Sequence, residues 1–312
     1  MAMHKIVDHV YLGSMFALKG KLSIEQAGIT HILSVLRGPI EANDVLGQAG
    51  MTHKQISLDD DEDENIIEHF GEALEFMDAA VSKGESVLVH CMAGVSRSAT
   101  VVAAYLIWKE RVSAETALAR IRAQRAVANP NESFLEQLEI YARGIGQSTA
   151  PPALSENVTE YRRWLLQRQV AAMEGSGQAP VPRYAGADET ATAELRCKKC
   201  RCALARSNAV VVHEGRHGLV KNARVQQPAY ASKIGPGMVS LLAPQCMHYF
   251  LEPVRWMQPE LDKGALEGRL ECPKCRAKVG SYRWQGMKCT CGEWVTPGIE
   301  VQRGRVDEIR LA

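Results

Sequence analysis

The chain has 312 residues, 46% of them hydrophobic and 23% charged, with a formal net charge of +1. That length exceeds one average domain, and the composition is that of an ordinary soluble protein with enough apolar material for real cores. The apolar run after Cys91, 99-ATVVAAYLIW-108, is too short to span a bilayer, and 1-MAMHKIVDHVYLG-13 lacks the apolar stretch of a secretory signal. An intracellular protein with free thiols rather than disulfides is therefore expected.

The near-zero charge conceals two unlike parts. Before residue 194 there are 17 Lys and Arg against 25 Asp and Glu, a net of −8; from residue 194 on there are 20 against 11, a net of +9. A basic part invites a nucleic-acid partner, and a solvated basic surface is the plainer alternative. Cysteines divide at the same place: Cys91 stands alone in the first part, and the other eight lie between Cys197 and Cys291.

In chain order, 31-HILSVL-36 reads as a buried strand, 66-IIEHFGEALEFMDAAV-81 as a helix ending before Gly84, and 86-SVLVH-90 as a second buried strand. After the segment around Cys91, 98-SATVVAAYLIWKE-110 reads as a mostly buried helix. Ser113 is placed to cap a helix over 114–125, and Asn131, after Pro130, one over 132–143. This alternation predicts an α/β domain over residues 1–147. Residues 148–193 read as linker, with a helix over 159–172 assignable to neither side. From 194 to 312, Gly, Pro and Cys punctuate short strand-like runs, which predicts a small β-rich module held by metal.

The stretch 88-LVHCMAGVSRSAT-100 carries the first chemistry. A phosphate monoester is a dianion, and a loop between a strand and a helix N-terminus meets it with converging backbone N–H groups and the positive end of the helix dipole. In the loop Met92, Ala93, Gly94, Val95, Ser96, Arg97, Gly94 lets the backbone curl and Arg97 offers a bidentate fork to two phosphoryl oxygens. The same field favours the thiolate of Cys91. A lone cysteine after a strand is more often an inert buried thiol, but that reading leaves His90, Gly94, Arg97 and Ser98 unexplained at their offsets.

The pattern H-C-x-x-G-x-x-R-S resembles the cysteine-based protein phosphatases of the dual-specificity branch. The resemblance implies an α/β cysteine-phosphatase fold, a central sheet flanked by helices, working through a phosphocysteine intermediate without a catalytic metal. Cys91 would be the nucleophile and Arg97 the phosphate clamp; Ser98 would donate to the departing thiolate, and His90 would bias Cys91 toward its ionised form. The leaving oxygen needs a proton from a carboxylic acid on another loop. Family chains place that acid ten residues before the aromatic that opens the next helix; counting back from Phe70 gives Asp60 within 56-ISLDDDEDENIIEHF-70, with Asp59 one residue away as the alternative. Asn131, in 129-NPNESF-134, falls at a family position that supports the phosphate loop.

In the second part Cys197 and Cys200 form C-x-x-C, as do Cys272 and Cys275, while Cys289 and Cys291 form C-x-C. Each pair presents two thiolates from one tight turn to a tetrahedral ion, which in a reducing compartment points to two structural zinc ions. Proximity in the chain groups Cys272, Cys275, Cys289 and Cys291 in one site and Cys197, Cys200 and Cys246 in the other. The fourth ligand of the latter is taken as His213, in the apolar run 209-AVVVHEG-215, with Cys202, His217 and His248 as alternatives.

The phrases 246-CMHYFLEPVRWM-257, 272-CPKCRAKVGSYRW-284 and 289-CTCGEWVTP-297 are similar to the zinc domain of the YVH-type dual-specificity phosphatases, the dual-specificity phosphatase twelve family. That resemblance implies a role in late assembly of the large ribosomal subunit, in nucleus and cytoplasm. There the zinc domain docks on the pre-60S particle, on ribosomal RNA and stalk-base proteins, and releases a placeholder protein. Trp256, Trp284 and Trp294 are candidates for stacking on bases, although tryptophan in small zinc modules is more often core. Two functions are thus expected together, a phosphatase acting on phosphoproteins and a zinc-dependent docking module. A lipid or RNA 5′-phosphatase using the same loop is a weaker third reading.

Overall fold

The computed structural model describes residues 2–40, 44–146, 151, 153–154, 158–185, 191–213 and 246–311. The chain divides into two compact units, Met1–Tyr161 and Arg162–Ala312.

The first unit is built on strands β1 (Met3–Val7), β2 (Val10–Ser14), β3 (Ile29–Val35), β4 (Thr52–Ile56) and β5 (Ser86–Cys91). Their order across the sheet is β1-β2-β5-β3-β4, antiparallel at the β1–β2 hairpin and parallel elsewhere. A strand inside a parallel sheet is covered on both faces, so it reads as a continuous apolar run rather than an alternating one; β5 is buried at every position. The helices are α1 (Lys21–Gln26), α2 (Ile67–Val81), α3 (Arg97–Glu110), α4 (Ala114–Gln124) and α5 (Glu132–Gly144).

Helix α3 is buried from Arg97 to Trp108 and packs against α2, α4, α5 and β5, which fixes the direction in which its N-terminus points. The expected caps are present: Ser113 Oγ accepts from Thr116 N at 3.1 Å, and Asn131 Oδ1 from Phe134 N at 2.8 Å. Helix α2 has no capping side chain of its own. Instead the buried Gln137 of α5 accepts from the N–H groups of Ile66 and Ile67, at 2.9 and 3.3 Å, so a neighbouring helix satisfies its first turn.

Helix α6 (Thr159–Ser176) crosses the division between the units. From Arg162 on it belongs to the second: Leu166, Val170 and Met173 enter that unit's apolar core, and the buried Glu252 receives Arg162 at 2.7 Å and Arg163 at 2.5 Å. The second unit's other described strands and α-helix are β6 (Ala193–Cys197), β7 (Ala203–Arg206), β8 (His248–Phe250), the short α7 (Gln258–Leu261), β9 (Glu267–Glu271), β10 (Lys278–Arg283), β11 (Met287–Lys288), β12 (Trp294–Val295), β13 (Gly298–Gln302) and β14 (Val306–Arg310). They form a sheet β14-β6-β7, a sheet β8-β13-β10-β9 and the hairpin β11–β12. This is the β-rich module expected from the punctuated sequence. Among the described residues no helix is long and apolar enough to cross a membrane.

Candidate active site and metal centres

Strand β5 delivers Cys91 at its last position, 1% exposed, and the loop from Met92 to Ser96 returns into α3. Two donors converge on Cys91 Sγ: the Gly94 N–H at 3.2 Å and Ser98 Oγ at 3.2 Å. Gly94 has φ +69°, and a Cβ there would lie 2.4 Å from the Gly13 carbonyl oxygen and 2.7 Å from Arg125 Nη2, so glycine alone fits the turn. Arg97, at the first position of α3, is buried. Its Nη1 donates to the Leu58 carbonyl at 3.0 Å, while its Nε has no hydrogen-bond partner among the described residues. A buried guanidinium with a donor to spare beside a thiol is poised for an anion.

The two candidate acids face different ways. Asp60 Oδ1 accepts from Ser96 Oγ at 2.6 Å and from Asn131 Nδ2 at 3.1 Å, and its Oδ2 lies 3.9 Å from Arg97 Nε. Asp59 turns to Arg37, at 2.9 Å, away from the loop. Asn131 therefore holds Asp60 as well as capping α5, and its N–H reaches Ser96 Oγ at 3.2 Å.

His90 is fully buried. Its Nδ1 lies 3.3 Å from the Cys91 carbonyl and its Nε2 2.6 Å from Ser34 Oγ. Burial pulls its pKa down to about 4, against the hydrogen bond to the Cys91 carbonyl, which acts to raise it. His90 is thus neutral at physiological pH, so any bias it gives Cys91 comes through the loop backbone rather than through a positive charge.

Among the described residues of the second unit, two groups of four side chains come within ligating distance of a common centre: Cys197, Cys200, Cys272 and Cys275, and His213, Cys246, Cys289 and Cys291. The grouping by chain proximity is corrected by this arrangement. His213 and Cys246 share a site with Cys289 and Cys291, and the two C-x-x-C pairs share the other. The reason lies in the hairpins. Cys197 ends β6 and Cys272 follows β9, and these turns, remote in sequence, face each other. They share one backbone pattern: the N–H of the first cysteine bonds the carbonyl five residues on, at 2.9 Å in both, and Arg201 and Arg276 close the turns at φ +62° and +58°. His213 and Cys246 are brought together because Val210 pairs antiparallel with Leu251, and the His213 ring packs edge-on against Phe250.

The donor spacing fits a tetrahedral ion. Zinc–sulfur bonds of about 2.3 Å set neighbouring sulfurs about 3.8 Å apart; Cys197–Cys275 and Cys200–Cys272 lie at 3.8 and 3.5 Å, and Cys246 Sγ to His213 Nε2 at 3.6 Å. All eight thiols here are free of disulfides. Cys202 belongs to neither group, because its Sγ turns toward the Ala203 carbonyl; His248 also stands outside both, and His217 lies outside the described residues.

The family of the catalytic unit is set by comparison. The profile of the dual specificity phosphatase catalytic domain matches residues 10–143. The tyrosine-protein phosphatase yvh1 of Schizosaccharomyces pombe is 36% identical over 313 residues, covering 98% of this chain and 84% of that protein. The chain belongs to the YVH1-type dual-specificity phosphatases. Human dual specificity protein phosphatase 12 is 29% identical, covering 99% of this chain and 89% of that one. The crystal structure of the Yvh1 phosphatase domain from Chaetomium thermophilum is 31% identical over 47% of this chain and all of that one, with a TM-score of 0.43. This YVH1-type chain is accordingly a phosphoric monoester hydrolase of the protein tyrosine and serine/threonine class.

Two contributors to the YVH1-type site, Arg125 and Ser34, were not singled out from sequence. Arg125, buried at the end of α4, donates through Nε to the Gly94 carbonyl at 2.7 Å and through Nη2 to the Ala93 carbonyl at 3.0 Å, gripping the outside of the loop. Ser96 ties the loop to Asp60, and Ser34 meets His90 from β3. Arg125 in 121-IRAQRAVANP-130 has the appearance of a helix-end surface residue, and nothing local in the sequence marks it as a loop contact.

Proposed function

We propose that Cys91 Sγ attacks the phosphorus of a phosphotyrosine, phosphoserine or phosphothreonine side chain. The sulfur–phosphorus bond forms as the bond to the leaving oxygen breaks. Arg97 holds two phosphoryl oxygens, the loop N–H groups and the N-terminus of α3 hold the rest, and Asp60 gives its proton to the departing oxygen. Water then attacks the phosphocysteine, Asp60 takes a proton from that water, and Ser98 donates to the thiolate as it leaves, so one ester and one water give one alcohol and one inorganic phosphate. The observation that carries this reading is the convergence of the Gly94 N–H and Ser98 Oγ on Cys91 Sγ, with Asp60 held at the loop by Ser96 and Asn131. Rapid mixing with an aryl phosphate tests it. A burst of phenol is expected from the full chain, and undiminished turnover by a Cys91→Ser variant would defeat it.

The two four-ligand groups are read as structural zinc sites. Around the first, its two turns present the exposed Lys198, Lys199, Lys274 and Arg276. With the net +9 of residues 194–312, this supports the reading that the second unit docks on pre-60S ribosomal RNA and protein, in nucleus and cytoplasm, and promotes placeholder release. Of the tryptophans, Trp294 is exposed and remains a stacking candidate. Trp284 is fully buried core, and Trp256 is half-buried with its indole N–H donated to the Leu204 carbonyl. Co-sedimentation with large-subunit precursors separates the two functions: Cys91→Ser is expected to remain associated, and a chain ending at Tyr161 to dissociate. Retained association of the truncated chain would defeat the docking role.

A further inference from the structure

We propose that His53 is a positioning residue for the Cys91 thiolate, acting through Ser34 and His90 on the Cys91 carbonyl. The proposal rests on Cys91 being the nucleophile.

Three adjacent strands carry these side chains on one face of the sheet. Ser34 on β3 is in register with His90 on β5, and His53 on β4 is in register with Ile32, two positions before Ser34. Strand β4 is the sheet edge, and His53 is exposed there, whereas Ser34 and His90 are fully buried. Ser34 Oγ lies 2.9 Å from His53 Nε2 and 2.6 Å from His90 Nε2, and His90 Nδ1 lies 3.3 Å from the Cys91 carbonyl oxygen.

The hydrogen positions follow from what each atom can do. A carbonyl oxygen only accepts, so His90 Nδ1 carries the proton, and in the neutral ring Nε2 must accept. The Ser34 hydroxyl then has to donate to His90 Nε2, which leaves its lone pairs to accept from His53 Nε2–H. Every bond in the chain therefore points from the sheet edge to the loop: His53 donates to Ser34, Ser34 to His90, and His90 to the Cys91 carbonyl. Bonds aligned in this way polarise one another. Burial is the first cause of the depressed pKa in both rings.

The consequence for chemistry lies in the peptide between Cys91 and Met92. It is trans, so its N–H points opposite to its carbonyl. A donor that fixes and polarises the Cys91 carbonyl therefore also fixes and polarises the Met92 N–H on the opposite side of that peptide, at the start of the loop that carries Gly94 and Arg97. Losing the first donor loosens the series without touching any group that contacts substrate.

The test uses the full chain and the pH dependence of inactivation by iodoacetate, with alkylation of Cys91 followed by peptide mass spectrometry. His53→Leu removes the donor at an exposed position. The expected result is alkylation at pH 6 slowed about three- to tenfold, the effect of one ordinary hydrogen bond, with the pH midpoint moved upward. His53→Gln, whose carboxamide N–H can still donate to Ser34, is expected to keep the wild-type midpoint, and Ser34→Ala to shift it as His53→Leu does. An unchanged midpoint in His53→Leu, or equal shifts in His53→Leu and His53→Gln, would overturn the proposal. A wild-type chain whose Cys91 resists alkylation near neutral pH would instead overturn the nucleophile reading beneath it, so the two failures are distinguishable.

Discussion

Ser98 Oγ donates to Cys91 Sγ across 3.2 Å from the second position of α3. On the proposed mechanism a hydroxyl at that distance does little for the attack on phosphorus, where the Gly94 N–H already faces the sulfur, but it would meet the charge that returns to sulfur when the phosphocysteine is cleaved. Ser98→Ala is therefore expected to keep the burst with an aryl phosphate and to lose roughly 10²-fold in steady-state kcat. Rapid-quench kinetics checks it; equal losses in burst and steady state would assign Ser98 to the first step instead.

Arg125 grips the Ala93 and Gly94 carbonyls from outside the loop, with Nη1 2.9 Å from His4 Nδ1. Removing it leaves two loop carbonyls without those donors and lets the loop widen. Arg125→Ala is expected to lower kcat/KM by roughly 10²-fold, the scale set by misplacing reacting groups by about an ångström. Arg125→Lys, which offers a charge without the planar fork, should recover only part of that. Steady-state kinetics on both variants decides the matter.

His90 sets a pH dependence of stability. Its folded-state pKa near 4 lies below the ordinary histidine value of 6.5, so between those values the unfolded chain binds a proton that the folded chain refuses. Stability is thus full above pH 6.5 and declines as pH falls toward 4. A His90→Asn variant, which keeps a donor for the Cys91 carbonyl but does not titrate, should lack this loss. Urea unfolding of both chains at pH 7 and pH 5 is expected to show the wild type losing about 2 kcal/mol relative to the variant. A gap that does not change with pH contradicts the assignment.

The ligand grouping has a direct test by metal content. Cys200 and Cys272 lie in one group, so a Cys200→Ser, Cys272→Ser double variant should retain one zinc equivalent of two. Grouping by chain proximity would place these residues in different sites and cost both ions. Cys202→Ser should retain both equivalents. Mass spectrometry under non-denaturing conditions counts them.

What sequence alone revealed of this protein follows from how local each feature is. The end of the strand, the loop and the first turn of the helix around Cys91 span thirteen residues, and the apolar run, Gly94 and Arg97 all fall within that span, so the strand–loop–helix motif was legible. Helices α2, α3, α4 and α5 were legible from apolar spacing and from the capping residues Ser113 and Asn131. The charged run alone does not separate Asp60 from Asp59; the family offset from Phe70 pointed to Asp60, and tertiary packing sends Asp60 toward Ser96 and Asp59 toward Arg37. Ser34, His53 and Arg125 left no local signal, since lateral strand pairing and a helix end bring them to the loop. The metal grouping failed for a related reason: a C-x-x-C turn supplies half a tetrahedron, and which turn supplies the other half depends on which hairpins face each other.

The most direct test of the central claim is to quench the full chain in acid during turnover of an aryl phosphate and to locate phosphate by peptide mass spectrometry. Ser98→Ala is the form to use, since it should accumulate the intermediate. The expected result is a phosphoryl group on Cys91 that is absent from a Cys91→Ser chain; continued hydrolysis with Cys91 unmodified, or a phosphoryl group on any other residue, would contradict the account.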